Sequence, residues 1–80
     1  MPPPNLEAAI LALLHARGPG KTICPSDAAR AIDPEQWRSL MQPVRDAALR
    51  LVSARRIVIT QHGRPVDPAT AKGPIRLRLH

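Results

Sequence analysis

The sequence predicts an α+β domain of three helices, a short first strand and a C-terminal β-hairpin, and three observations carry that prediction. Apolar residues recur at helical spacing through residues 6–14 and again through 44–51. Residues 57–61 and 75–79 read as strands, the first dense in β-branched residues and the second alternating apolar with basic. Proline and glycine punctuate the boundaries between these stretches.

Eighty residues allow one domain, and a chain of this size buries only about 60% of the surface it exposes when unfolded. Residues 1–5 read as a flexible proline-containing arm and residues 6–80 as the single domain. Asn5 is a good N-cap for a first helix from about Leu6 to Ala16, with Leu6, Ala9, Ile10, Leu13 and Leu14 on one face. Gly18-Pro19-Gly20 stops it. Lys21 to Cys24 is then a minimal strand, its last residue pushed toward β geometry by Pro25 and expected to be buried as small apolar filler. Pro25, Ser26 and Asp27 suit a helix start, so the second helix spans about Ser26 to Ile32 with Ala28, Ala29 and Ile32 inward.

Asp33-Pro34-Glu35 repeats that start signal, and the third helix is expected to begin there. Pro43 removes a backbone hydrogen bond and clashes with the Ser39 carbonyl, which predicts a kink or break near Leu40 to Gln42 and a main piece from Pro43 to Ala54. Val44, Ala47, Ala48 and Leu51 face inward, Trp37 and Leu40 extend the apolar contact upstream, Asp46, Leu49, Arg50 and Ser53 point away, and Arg45 lies on the flank. The strands Ile57–Gln61 and Ile75–Leu79 should pair antiparallel. Between them His62 to Pro74 forms a long loop containing Gly63, Pro65, Pro68 and Gly73.

This order of elements is that of a winged helix-turn-helix, in which the second and third helices form the helix-turn-helix and the loop between the last strands is the wing. The segments Thr22 to Ala31, Trp37 to Met41, Gly63 to Pro68 and Lys72 to Arg78 resemble the small bacterial family catalogued as domain of unknown function 3253. The resemblance covers nearly the whole chain. It implies a winged-helix-like fold and carries no established activity.

Charge divides the chain. Residues 1–44 hold Arg17, Lys21, Arg30 and Arg38 against Glu7, Asp27, Asp33 and Glu35, which cancel. Residues 45–80 hold eight cations against Asp46 and Asp67, and eight minus two is the whole net charge of +6. Such asymmetry points to a polyanionic partner. Seven of the eight are arginine, whose planar fork grips phosphate, although a GC-rich genome also favours arginine codons.

Double-stranded DNA is the expected partner, with the third helix in the major groove and the basic wing on the backbone. Arg45, Asp46, Arg50 and Ser53 are the candidate groove contacts, with Asp46 either accepting from a cytosine amine or neutralised by Arg50 four residues on. Arg64, Lys72, Arg76 and Arg78 are the candidate wing contacts, the last two sharing the strand face opposite Ile75 and Leu77, and together they are expected to form one patch. The alternative is a protein-interaction adaptor that meets an acidic partner through the same charges, with Leu49, Leu79 and the proline arm as a docking surface.

Trp37, the single aromatic residue, reads as core, which argues against base-stacking platforms for single strands or RNA. His62 is an exposed turn residue or a phosphate contact. No nucleophile-base pair, carboxylate pair, phosphate-cradling glycine loop or metal-ligand spacing stands out, so neither catalysis nor a cofactor or metal is expected. With one cysteine, no signal-peptide pattern and no long apolar run, a cytoplasmic monomer or weak dimer is the expectation.

Overall fold

The computed structural model describes residues 5–80; of the expected arm, residues 1–4 lie outside the described residues, and Asn5 belongs to the first helix cap. The Asn5 side-chain oxygen accepts from the Ala8 N–H at 3.0 Å and opens α1 (Leu6–Arg17), satisfying one of the N–H groups that a helix start leaves without a partner. Gly18, at a φ of 99°, ends the helix and donates its N–H to the Leu14 carbonyl at 2.9 Å. β1 is Thr22–Ile23. Cys24 is not the buried end of that strand: it is half-buried and stands directly ahead of α2 (Pro25–Ile32). Pro25 takes the first helical position, where a missing N–H costs nothing, and the Asp27 carboxylate turns back to accept from the Cys24 N–H at 2.9 Å.

The expectation that Asp33-Pro34-Glu35 begins the third helix is corrected. The Asp33 carboxylate accepts from the N–H groups of Glu35 and Gln36, both at 3.1 Å, and so builds a turn. A 3₁₀ turn, Trp37–Leu40, follows, and α3 runs Met41–Ser53. The break falls at Leu40–Met41, within the expected span. Pro43 therefore sits in the first turn of α3, where its backbone owes no hydrogen bond. At the other end Arg55 adopts a φ of 59°, while its N–H reaches the Val52 carbonyl and the Arg56 N–H reaches the Leu51 carbonyl, each at 2.9 Å. This is a Schellman closure with arginine where glycine is the usual residue.

β2 (Ile57–Gln61) and β4 (Arg76–Leu79) pair antiparallel, from Ile57 opposite Leu79 to Thr60 opposite Arg76. Their connection is not one long loop. His62 and Gly63, at φ of 52° and 78°, form a two-residue turn into β3 (Arg64–Pro65), which pairs back on β2. Two successive positive-φ residues match the twist of the flanking strands, which is why so short a turn is possible. With β1 paired to β4, the sheet order is β1-β4-β2-β3. Because β3 and β4 flank β2 on opposite sides, residues 66–75 cross over β2 between them, starting with the Val66 N–H donating to the Ile59 carbonyl at 2.9 Å.

The helices pack against one another, with α1 also on β4 and α3 also on β2. Ile23, Leu77 and Ile59 stand in register across three strands as the floor, and Ile10, Leu14, Val44 and Leu51 descend onto it. Ala28, Ala29, Ala47 and Ala48 are fully buried, and their small side chains let α2 and α3 approach closely. Trp37, expected in the core, is half-buried at its edge, with the guanidinium carbons of Arg30 and Arg38 at 4.3 and 4.6 Å from its ring centroid. The architecture is α+β, three helices and a four-stranded antiparallel sheet, compatible with a winged-helix arrangement.

Leu77→Ala, at a fully buried site in the middle of the floor, should destabilise the domain by about 3 kcal/mol, seen in urea titration as a lower midpoint at unchanged slope. Arg55→Gly should stabilise it by about 0.5 kcal/mol or more, because glycine relieves the left-handed backbone strain while giving back part of the gain as unfolded-chain entropy. A fall in melting temperature for that variant contradicts this account.

Candidate functional site

α3 turns Val44, Ala47, Ala48 and Leu51 into the core, which leaves Gln42, Asp46, Leu49, Arg50 and Ser53 exposed and Arg45 half-buried on the flank. Neutralisation of Asp46 by Arg50, one of the two states expected for it, does not occur. Asp46 accepts from the Gln42 side-chain amide, one turn earlier, at 2.9 Å, and Arg50 pairs with Glu7 of α1 at 3.4 Å. Packing of α1 on α3 supplies the nearer carboxylate. Both side chains of the Arg50–Glu7 pair are largely solvated, at 59% and 41%, so the pair holds Arg50 only weakly. Ser53 is exposed at the last turn. Arg45, Leu49 and Gln42 form one wall of an open cleft of about 160 Å³; Pro68, Ala71 and Ile75 of the crossing segment form the other, over Ile59. Leu49, 42% exposed, is the one exposed large hydrophobic residue among those described.

The crossing segment is fixed at both ends. The Asp67 carboxylate accepts from the Ala69 N–H at 2.9 Å, and the N–H groups of Thr70 and Ala71 return to the Asp67 carbonyl, making a tight turn. Further on, the Gln61 side-chain amide donates to the carbonyls of Lys72 at 2.6 Å and Pro74 at 3.1 Å. Gln61 therefore braces the segment against β2.

The four wing cations do not form one patch. Arg76 and Arg78 share the sheet face opposite the buried Leu77, as alternation requires, and that face is turned away from the helices. Arg64 pairs with Gln61 and so belongs to the other side of the sheet. Lys72 rides on the crossing segment and borders a hollow with His62 and Arg76. Arg76 has a structural task as well: its Nε donates to the Thr22 hydroxyl at 2.7 Å, one terminal nitrogen to the Cys24 sulfur at 3.0 Å and the other to the Thr22 carbonyl at 3.3 Å. One guanidinium thus ties β4 to β1 and to the start of α2.

A sequence profile for a family described as "Protein of unknown function (DUF3253)" matches residues 3–80. The chain belongs to that family. Among curated proteins, none matches it. For this DUF3253 domain, no group of three histidine, cysteine or acidic side chains among the described residues is arranged to hold a metal, and no helix among them is long and apolar enough to cross a membrane.

Three features of the DUF3253 domain lie outside the candidates that its sequence offers: the Gln61 brace, the Thr22 and Cys24 acceptors of Arg76, and the arginines stacked on Trp37. The Arg76 contacts join residues more than 50 apart in the chain, and no local signal announces them. His62-Gly63 after a β-branched run was a readable turn signal. Arg76→Ala should lower stability by about 1 kcal/mol through lost charge-assisted hydrogen bonds, while Arg78→Ala, which removes a side chain with no hydrogen bond to the described residues, should leave the melting temperature nearly unchanged. Equal losses for the two would remove the clamp from the account.

Proposed function

We propose that this domain is a double-stranded DNA-binding module of the winged-helix kind, with α3 entering the major groove and the hairpin and crossing segment following the backbone, without catalysis. One observation carries the reading. Of the eight cations in residues 45–80, only Arg50 stands in an ion pair among the described residues, because Asp46 is engaged by Gln42 and Asp67 closes its own turn; eight less one leaves seven with no carboxylate partner. Charges left unneutralised on one half of a small domain favour a polyanion.

In this reading Arg45, Asp46, Arg50 and Ser53 address base edges, and the weak Arg50–Glu7 and Asp46–Gln42 contacts yield to the groove at small cost. Arg64 and Lys72 meet phosphates, whereas Arg76 and Arg78, on the sheet face away from α3, add to the field more than to contact. Among the described residues no long apolar helix remains to form a dimer interface, so the module acts as a monomer or weak pair, and its single free cysteine suits a reducing cytoplasm. The cleft beside Leu49 supports the second reading, an adaptor that takes an apolar side chain of an acidic protein partner.

Binding to a mixed-sequence duplex of about 20 base pairs should fall with salt at a log–log slope of roughly −3.6 if about four phosphates are contacted, and Arg64→Ala with Lys72→Ala should flatten it by about 0.9 for each lost phosphate contact. Absence of binding at low salt would sink the DNA reading and turn attention to the Leu49 cleft.

A further inference from the structure

The hairpin turn and the returning segment enclose a second feature. Between β2's end and the crossing segment lies an open hollow of about 420 Å³ bordered by Gln61, His62, Gly63, Lys72, Pro74 and Arg76. Its three cationic or protonatable side chains come from three separate places: the turn, the crossing segment and the central strand β4. No carboxylate side chain among the described residues borders it. The acid nearest in sequence, Asp67, is spent on the Ala69 N–H.

We propose that this hollow is a binding site for a phosphate group. Lys72 supplies the ammonium and His62 an imidazole N–H, the donors that meet phosphate oxygens as charge-assisted hydrogen bonds when the ring is protonated and as a neutral donor otherwise. Arg76 contributes differently. Three of its five N–H groups are held by Thr22 and Cys24, so its guanidinium is tied to β1 and the start of α2 and contributes field rather than a contact. Gln61 is a positioning residue: its two hydrogen bonds to the Lys72 and Pro74 carbonyls set the distance between the segment that bears Lys72 and the turn that bears His62. The rim is therefore preorganised by groups that a ligand need not touch, which spares the ordering cost that weakens sites on free loops. Donors carried on the turn and on the crossing segment can each meet a different oxygen of a tetrahedral anion, whereas a planar carboxylate presents two oxygens in one plane.

The inference goes beyond the DNA reading, since the phosphate can belong to a nucleic-acid backbone or to a free phosphate or phosphomonoester. The full chain, labelled with nitrogen-15, is titrated with inorganic phosphate, with sodium acetate at matched ionic strength, and with the duplex. Phosphate should produce saturable amide shifts centred on residues 61–64 and 72–73, and acetate should not. Lys72→Ala and His62→Asn, both at exposed positions and the latter tolerant of the positive φ, should each weaken phosphate about tenfold, the worth of one charge-assisted bond. Gln61→Ala should weaken it too, without Gln61 itself contacting the anion. Duplex that competes with phosphate assigns the site to the DNA path; duplex that fails to bind while phosphate still saturates leaves the site standing for a free phosphate ligand and removes only the DNA reading. Shifts spread evenly over all the cations, or equal shifts with acetate, overturn the proposal.

Discussion

Everything in this domain rests on the position of its last strand. β4 lies between β1 and β2, so Leu77 is the middle of the hydrophobic floor, with Ile23 on one side and Ile59 on the other. Until residues 76–79 arrive, β1 has no partner and the helices have only half a surface to cover. Pairings that join residues 22–23 to 77–78 must close most of the chain before they return any stability, which makes folding cooperative and ties the order of the hairpin to that of the helices. The Arg76 clamp reinforces the same junction from the opposite face.

The charge imbalance has a structural cause beyond composition. Carboxylates are few, and nearly all are occupied in shaping the backbone or holding a neighbour: Asp27 caps α2 and pairs with Arg17, Asp33 and Asp67 build turns, Asp46 takes Gln42, and Glu7 takes Arg50. Acidic groups at helix starts and turns do this work well because they accept from free N–H groups. The cations are left with little to neutralise them, most of all in the half that contributes α3, the hairpin and the crossing segment.

Local chemistry made most of the elements legible in the sequence. Asn5, Pro25, Pro43 and the β-branched run at 57–61 each act within a few residues, and each acts where the pattern places it. The misreadings arise where one local signal serves two structures. Asp33 followed by proline suits a helix start or a turn, and the choice is made by Trp37 packing on the core edge, a tertiary contact. In sequence the wing reads as a loop because Arg64-Pro65 is too short and too polar to register as a strand. Of the candidate site, the residues were legible and their grouping was not, since only the register shows Arg64 and Arg76 to lie on opposite faces. Gln61 carried no signal at all: a glutamine at a strand end looks like any solvated side chain.

Both edge strands of the sheet are only two residues long. β1 is confined between Gly20 and Pro25, and β3 contains Pro65, which has no N–H to offer. A sheet bounded this way gives another chain almost no ladder to extend. Edge-to-edge aggregation is suppressed, and so is recognition by strand addition, in which main-chain bonds supply affinity regardless of side chains. Whatever this domain meets, it must meet through its side chains, so its associations are open to tuning one residue at a time and, where arginines dominate, by the ionic strength around them.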